Sequence, residues 1–216
     1  MSVVLVTGTD TGVGKTFVAC ALAYALRAQG RRVGVVKPVE TGVDGEPDDA
    51  RRLAAAARDL SPLDDVCPYR LRAPLAPSVA AAREGVTIDV DAIAALVARR
   101  APTVDVLLVE GAGGLLVPLV SRTTYLDLAL RLAAPLLIVA ANRLGTVNHA
   151  ALTARVAASV GAPVLGFVLS HPSPTTDASA ETNAETITTT TGLRCLGVLP
   201  HLADVRRAAP LLTLAW

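Results

Sequence analysis

The feature that most constrains the fold of this chain is an alternation. Short apolar runs at Val3–Thr7, Val33–Pro38, Val104–Glu110, Leu136–Ala141, Val164–Ser170 and Cys195–Leu199 are separated by stretches of helical length. Runs of four to eight apolar residues without polar alternation suit strands buried on both faces. The intervening stretches, Lys15–Gln29, Asp48–Asp59, Asp89–Arg100, Thr123–Ala133, Thr146–Val160 and Ala178–Thr191, read as helices. Strand–helix alternation predicts an α/β fold, one domain over residues 1–216, with a mostly parallel sheet, helices on both faces and right-handed crossovers. Ligands in such sheets bind beyond the carboxyl ends of the strands. Two segments break the pattern: residues 60–78, with Pro62, Pro68, Pro74 and Pro77, and residues 170–176. Both are expected to be loops at the edge of the ligand crevice. The run Thr188–Thr191 is expected to fray its helix end.

Between the first strand and the first helix lies Gly8-Thr9-Asp10-Thr11-Gly12-Val13-Gly14-Lys15-Thr16. A glycine-rich turn in that place aims backbone N–H groups at a polyphosphate, with a helix N-terminus behind them. In the standard phosphate loop the first glycine stands six residues before the lysine. Here Thr9 holds that position and Gly8 comes one earlier, so this is a variant P-loop of a P-loop NTPase-type domain. Lys15 is placed to reach the terminal phosphates of ATP, and the Thr16 hydroxyl to ligate Mg²⁺. Glu110 closes the third apolar run where a Walker-B acid belongs, followed by an expected turn, Gly111-Ala112-Gly113-Gly114. Asp48 and Asp49 open the second helix, which alone favours a helix N-terminus. The partition ATPases of the ParA/MinD type carry a second lysine five positions before the invariant one. That position is Asp10 here, which disfavours an ATP-switch reading.

Charge sharpens the site. Of 20 basic residues only Lys15 and Lys37 are lysine, and net charge is +1. Lys37 closes the second strand, a position facing the crevice. A near-neutral chain shows no basic excess for nucleic acid. Cys20, Cys67 and Cys195 form no Cys-x-x-Cys spacing, so neither a disulfide framework nor a zinc site is expected and the reducing cytoplasm is the expected compartment. The first apolar run is too short and lacks a basic leader for a signal peptide. The longest apolar stretch, Leu126–Ala141, is broken by Asp127, Arg131 and Pro135, so no membrane span is expected. The closing segment Ala209–Trp216 carries no basic amphipathic pattern of the kind a membrane-docking switch would use.

These blocks together resemble one family, the dethiobiotin synthetases. The resemblance rests on Gly8–Thr11 with Gly14-Lys15-Thr16, Lys37-Pro38-Val39 with Thr41-Gly42, Glu110–Gly114, Leu144–His149 with Leu152-Thr153, and Gly197–Pro200, in order along nearly the whole chain. It implies a homodimer that uses ATP, Mg²⁺ and CO₂ to close 7,8-diaminopelargonate into a cyclic urea, through a carbamate and a carbamic–phosphoric anhydride. Thr16, Asp49 and Glu110 would be the Mg²⁺ ligands. Lys15, Lys37 and Thr11 would act on the phosphate and carbamate oxygens, and Thr11, Lys37 and Thr41 would hold the diamine and carbamate. The nucleotide would lie on Gly12, Val13, Gly14, Lys15, Thr16 and Phe17, with Gly111, Ala112 and Gly113 near it. Gly145, Thr146, Val147 and Asn148 would take the substrate carboxylate across the dimer. Family members commonly place Asn and an acid near residue 170 to read the base. Ser170 and His171 stand there instead, so base reading is looser or falls to main chain and to Pro200, His201 and Leu202.

Overall fold

The protein is described by a computed structural model, over residues 2–213. Met1 and residues 214–216, the end of the C-terminal segment noted above, lie outside the described residues. In chain order the elements are β1 (Ser2–Gly8), α1 (Lys15–Ala28), β2 (Val33–Val36), β3 (Val39–Thr41), α2 (Asp48–Ala57), α3 (Leu63–Val66), β4 (Tyr69–Leu71), α4 (Pro77–Glu84) and α5 (Val90–Arg100). They continue with β5 (Val106–Gly114), β6 (Pro118–Val120), β7 (Thr123–Thr124), α6 (Tyr125–Arg131), β8 (Leu136–Ala141), α7 (Thr146–Ser159), β9 (Val164–Ser170), α8 (Asn183–Thr191) and β10 (Cys195–Leu199). Six strands form one sheet in the order β10-β9-β8-β1-β5-β2. Every pairing within it is parallel.

Alternate side chains of each strand go to opposite faces, as the period of two requires. Val4, Val6, Val35, Leu108, Val139 and Val168 pack against α1 and α2. Leu5, Leu107 and Val109 pack against α5 and α6, and Ile138, Ala140, Phe167 and Leu169 against α7 and α8. Both faces are therefore covered, and the fold class expected from the alternation is the one observed. No helix among the described residues is long and apolar enough to cross a membrane.

Five local expectations need correction. Segment 60–78 is not a loop throughout: it holds α3, β4 and the start of α4, with β4 pairing parallel to β3 through Val39↔Tyr69 and Thr41↔Leu71. Its prolines stand where a helix tolerates them, Pro62 just before α3 and Pro77 within the first turn of α4. The strand expected over 33–38 ends at Val36, because Lys37 N donates to Val66 O (2.7 Å) and the chain leaves the main sheet there. The turn expected after Glu110 is instead a continuation of β5 to Gly114, since Gly8 of β1 pairs with Gly114. Finally, the helix expected over 178–191 is a 3₁₀ turn, Ala178–Glu181, followed by α8. Its threonine end is not frayed: Thr191 Oγ1 donates to Ile187 O (2.6 Å) and Gly192 closes the helix in the left-handed region.

Candidate active site

The carboxyl ends of β1, β2 and β5 open into a cleft of about 810 Å³. The loop after β1 forms its floor. Gly12 and Gly14 both have positive φ, 73° and 86°, and Gly14 begins α1. A side chain at Gly14 would also meet Ser170 Oγ at 2.7 Å. Ser170 Oγ donates to Val13 O at 2.5 Å, tying the loop to the end of β9. Lys15 is buried and its Nζ donates to Asp10 O at 3.0 Å. Asp10 itself accepts from Thr11 N at 2.7 Å.

Lys37 brings the acidic groups together. Its Nζ donates to Asp49 Oδ2 at 3.1 Å and forms a close ion pair with Glu110 Oε1. Thr16 Oγ1 donates to the same Glu110 oxygen at 2.8 Å. Residues from α1, α2, the end of β2 and β5 thus meet at one point. Burial alone would lower the pKa of Lys37, but Glu110 and Asp49 overcome it and hold the ammonium firmly protonated. Burial would raise Asp49, and the Lys37 charge reverses this to a net lowering. For Lys15 the compensation falls short. Burial, then the nearby charge of Lys37, pulls it down to about 8, against the opposing pull of Glu110, Asp49 and Asp10. An anion in the cleft would relieve Lys15.

Two carboxylates and a hydroxyl, from Asp49, Glu110 and Thr16, are hard oxygen donors of the type that would hold Mg²⁺. One observation fits this set to a cation. Glu110 Oε2 is fully buried and has no hydrogen-bond partner, a costly condition for a carboxylate oxygen.

Thr11, Gly12, Gly14, Lys15, Thr16, Phe17, Lys37, Thr41, Asp49, Glu110, Ala112 and Gly113 all line the cleft. Val13 and Gly111 are buried behind its wall. His171 lies apart, on a smaller cavity of about 160 Å³ beside Gly12 and Val13. His171 pairs with Asn142 at 3.1 Å. Pro200, His201 and Leu202 line neither cavity. Gly145–Asn148 also stand away from the main cleft, at the start of α7, where Gly145 and Asn148 are exposed and the buried Thr146 Oγ1 is unpartnered.

The sequence reading missed three contributors. Glu40 is buried and accepts from Asp49 N (3.0 Å) and Ala50 N (2.9 Å), capping α2 from another strand and so fixing where Asp49 stands. Pro74–Pro77 and Val117 supply an apolar wall to the same cleft. Arg52, one helical turn beyond Asp49, reaches the rim. The signal available for Glu40 was a lone acid within four residues of Lys37; nothing local marked the wall.

The chain as a whole is similar to known proteins. Residues 2–209 match a family described as an AAA domain. The ATP-dependent dethiobiotin synthetase BioD of Anaeromyxobacter dehalogenans (strain 2CP-C) is 49% identical over 209 residues, covering 94% of this chain and 92% of that protein. The protein of the same name from Bacillus subtilis (strain 168) is 38% identical over 204 residues, covering 94% and 88%. Among solved structures, the MinC:MinD cell division protein complex of Aquifex aeolicus aligns with a TM-score of 0.59 at 17% identity, over 97% of this chain and 87% of that one. That likeness is one of fold alone.

Proposed function

This chain belongs to the ATP-dependent dethiobiotin synthetase family, ligases that form carbon–nitrogen bonds in biotin synthesis, and from that premise we propose how its cleft works. The substrates are ATP, CO₂ and 7,8-diaminopelargonate, and the products dethiobiotin, ADP and phosphate. One amine of the diamine adds to CO₂ and loses a proton, giving a carbamate. A carbamate oxygen attacks the γ-phosphorus and ADP leaves, which yields a carbamic–phosphoric anhydride. The second amine attacks the carbamoyl carbon, the C–O bond to phosphate breaks, and the ring closes.

The observation that carries this reading is the meeting of Lys15 and Lys37 with Thr16, Asp49 and Glu110 in one cleft. Phosphoryl transfer asks a protein mainly for position and for charge where charge develops. Lys15, its pKa lowered by burial and by Lys37, is the group whose charge an incoming polyphosphate would stabilise most. Lys37, held charged by Glu110 and Asp49, is assigned to the carbamate and the moving phosphoryl group. Thr11 and Thr41 are assigned to the diamine and carbamate. Thr16, Asp49 and Glu110 would hold Mg²⁺, which when bound neutralises β- and γ-phosphate oxygens.

Gly145–Asn148 lie off the main cleft, and their assigned contact with the substrate carboxylate is made from a second copy of the chain. We therefore take the working form to be a cytoplasmic homodimer. Leu144, 81% exposed beside this element, and the exposed Leu152 one face along α7 give it an apolar rim. The nucleotide base is assigned to the His171 side of the P-loop, with Ser170 bracing the loop. Phosphate release from ATP that needs both bicarbonate and 7,8-diaminopelargonate is the expected result. Equal ATP turnover without the diamine would overturn the assignment.

A further inference from the structure

Helix α2 begins without a cap of its own. Its N-cap residue is Pro47, whose side chain offers no acceptor. The amide of Arg51 donates to Pro47 O at 3.1 Å and starts the helical ladder, so the amides before it need partners from elsewhere. Glu40 supplies two of them from β3. Its Oε1 accepts from Asp49 N at 3.0 Å and its Oε2 from Ala50 N at 2.9 Å. Glu40 is buried, and both its oxygens go to helix amides rather than to a cation. Arg70, opposite it in the β3–β4 pair, is taken up by Asp64 at 2.5 Å.

Burying a carboxylate is costly unless donors hold it, and the positive end of a helix is a place that does. Capping alone would not call for this arrangement, since a serine or aspartate at position 47 would serve locally. The long-range cap does something a local one cannot. It fastens the start of α2 to the segment Lys37–Thr41, whose two ends both line the cleft. One of the two amides it holds is that of Asp49, whose side chain meets Lys37 Nζ at 3.1 Å.

We propose that Glu40 is a positioning residue: by holding the Asp49 and Ala50 amides it sets where the Asp49 carboxylate stands, and thereby the affinity of the site for Mg²⁺. The inference rests on the metal role given to Asp49 above. Groups that orient a metal-ligating carboxylate typically change metal affinity or activity by about 10–100-fold when removed.

Two substitutions test it. Glu40→Gln keeps the volume but has one acceptor oxygen, and turns an NH₂ toward one of the two amides. Glu40→Asp keeps the charge and both acceptors but is one methylene shorter. The first measurement is a Mg²⁺ titration of ADP binding followed by thermal shift, with no diamine present. In both variants the half-saturating Mg²⁺ concentration is expected to rise about ten-fold. In steady-state kinetics kcat should fall at limiting Mg²⁺, be largely restored by excess Mg²⁺, and leave the diamine KM within about two-fold. A melting temperature that falls with the Mg²⁺ requirement unchanged would overturn the proposal, reducing Glu40 to a helix cap. So would a normal requirement in Glu40→Asp beside a raised one in Glu40→Gln, since charge and not placement would then be what matters. A diamine KM raised at saturating Mg²⁺ would overturn it too, by making Glu40 a substrate contact. The Mg²⁺–ADP titration needs no diamine, so failure of the ligase assignment would show separately, in the bicarbonate and diamine dependence of phosphate release.

Discussion

Two buried cations in this molecule are paired with buried acids, and they are built to opposite ends. Arg100, at the end of α5, forms a close ion pair with Asp59 and donates to Val35 O (2.6 Å), Asp65 O (2.8 Å) and Ser61 Oγ (3.1 Å). Asp59 also accepts from Val35 N (2.9 Å) and Ser61 N (3.1 Å). Both its oxygens are used and the cluster lines none of the larger cavities. Lys37 meets Asp49 and Glu110 instead, at the wall of an open cleft, and Glu110 keeps one oxygen unpartnered. The first cluster joins β2 to α5 and the end of α2. The second holds hydrogen-bonding capacity in reserve for something that arrives. Arginine, with a rigid fork of five donors, suits the first; a compact ammonium that turns freely suits the second.

The contrast can be broken by exchange. Arg100→Ala leaves Asp59 buried and uncompensated, and breaking such a pair typically costs about 3–5 kcal/mol. A large fall in denaturation midpoint is expected, with KM values unchanged below the transition; a change confined to kinetics would erase the distinction. Lys37→Arg is expected to lower kcat by about 10²–10³ while nucleotide affinity stays within a few fold, measured by turnover and by direct binding. Near-normal turnover would mean that charge alone suffices there. Asn148→Ala should raise the diamine KM several-fold more than it lowers kcat, as expected for a contact that binds ground and transition states alike. An unchanged KM would remove the start of α7 from substrate binding.

The smallest effect concerns pH. Burial pushes the Asp59 carboxyl up, but Ser61, Val35 and Arg100 bring it to a net lowering. A lowered folded-state pKa gives stability that is present above the ordinary aspartate range near pH 4, and that is lost as pH falls through the lower folded value. The acid limb of the stability profile should therefore flatten in Asp59→Asn, measured by denaturant midpoints against pH. An acid limb unaltered by the substitution would place that sensitivity elsewhere.

The two clusters also differ in how far the sequence reveals them. Lys37, Glu110 and Thr16 each close an apolar run or open a helix in the sequence, where a local pattern locates them and the α/β rule sends them to one edge. Asp59 and Arg100 lie 41 residues apart, and each reads alone as a surface charge at a helix end. Only the crossing of α5 over β2 joins them. Glu40 was hidden for the same reason, since its role depends on contacts with a distant element. The 60–78 segment was misread on different grounds. Its prolines look like breaks, yet two of them open helices, and the short β3–β4 pair beyond Lys37 has too few residues to show a period. The sheet order and the covering of both its faces were legible only as a class, because apolar runs specify burial and not neighbours.

The bond from Ser170 to the P-loop carries a kinetic consequence. With Val13 O held by Ser170 Oγ and no room for a side chain at Gly14, the phosphate loop is braced from β9 and has little freedom to rearrange. Nucleotide capture need not wait for a loop to order, so the cost of ordering is absent from the encounter. Rapid mixing with a fluorescent nucleotide should then give one exponential phase whose rate rises linearly with concentration. A plateau would reveal a slower rearrangement of the loop.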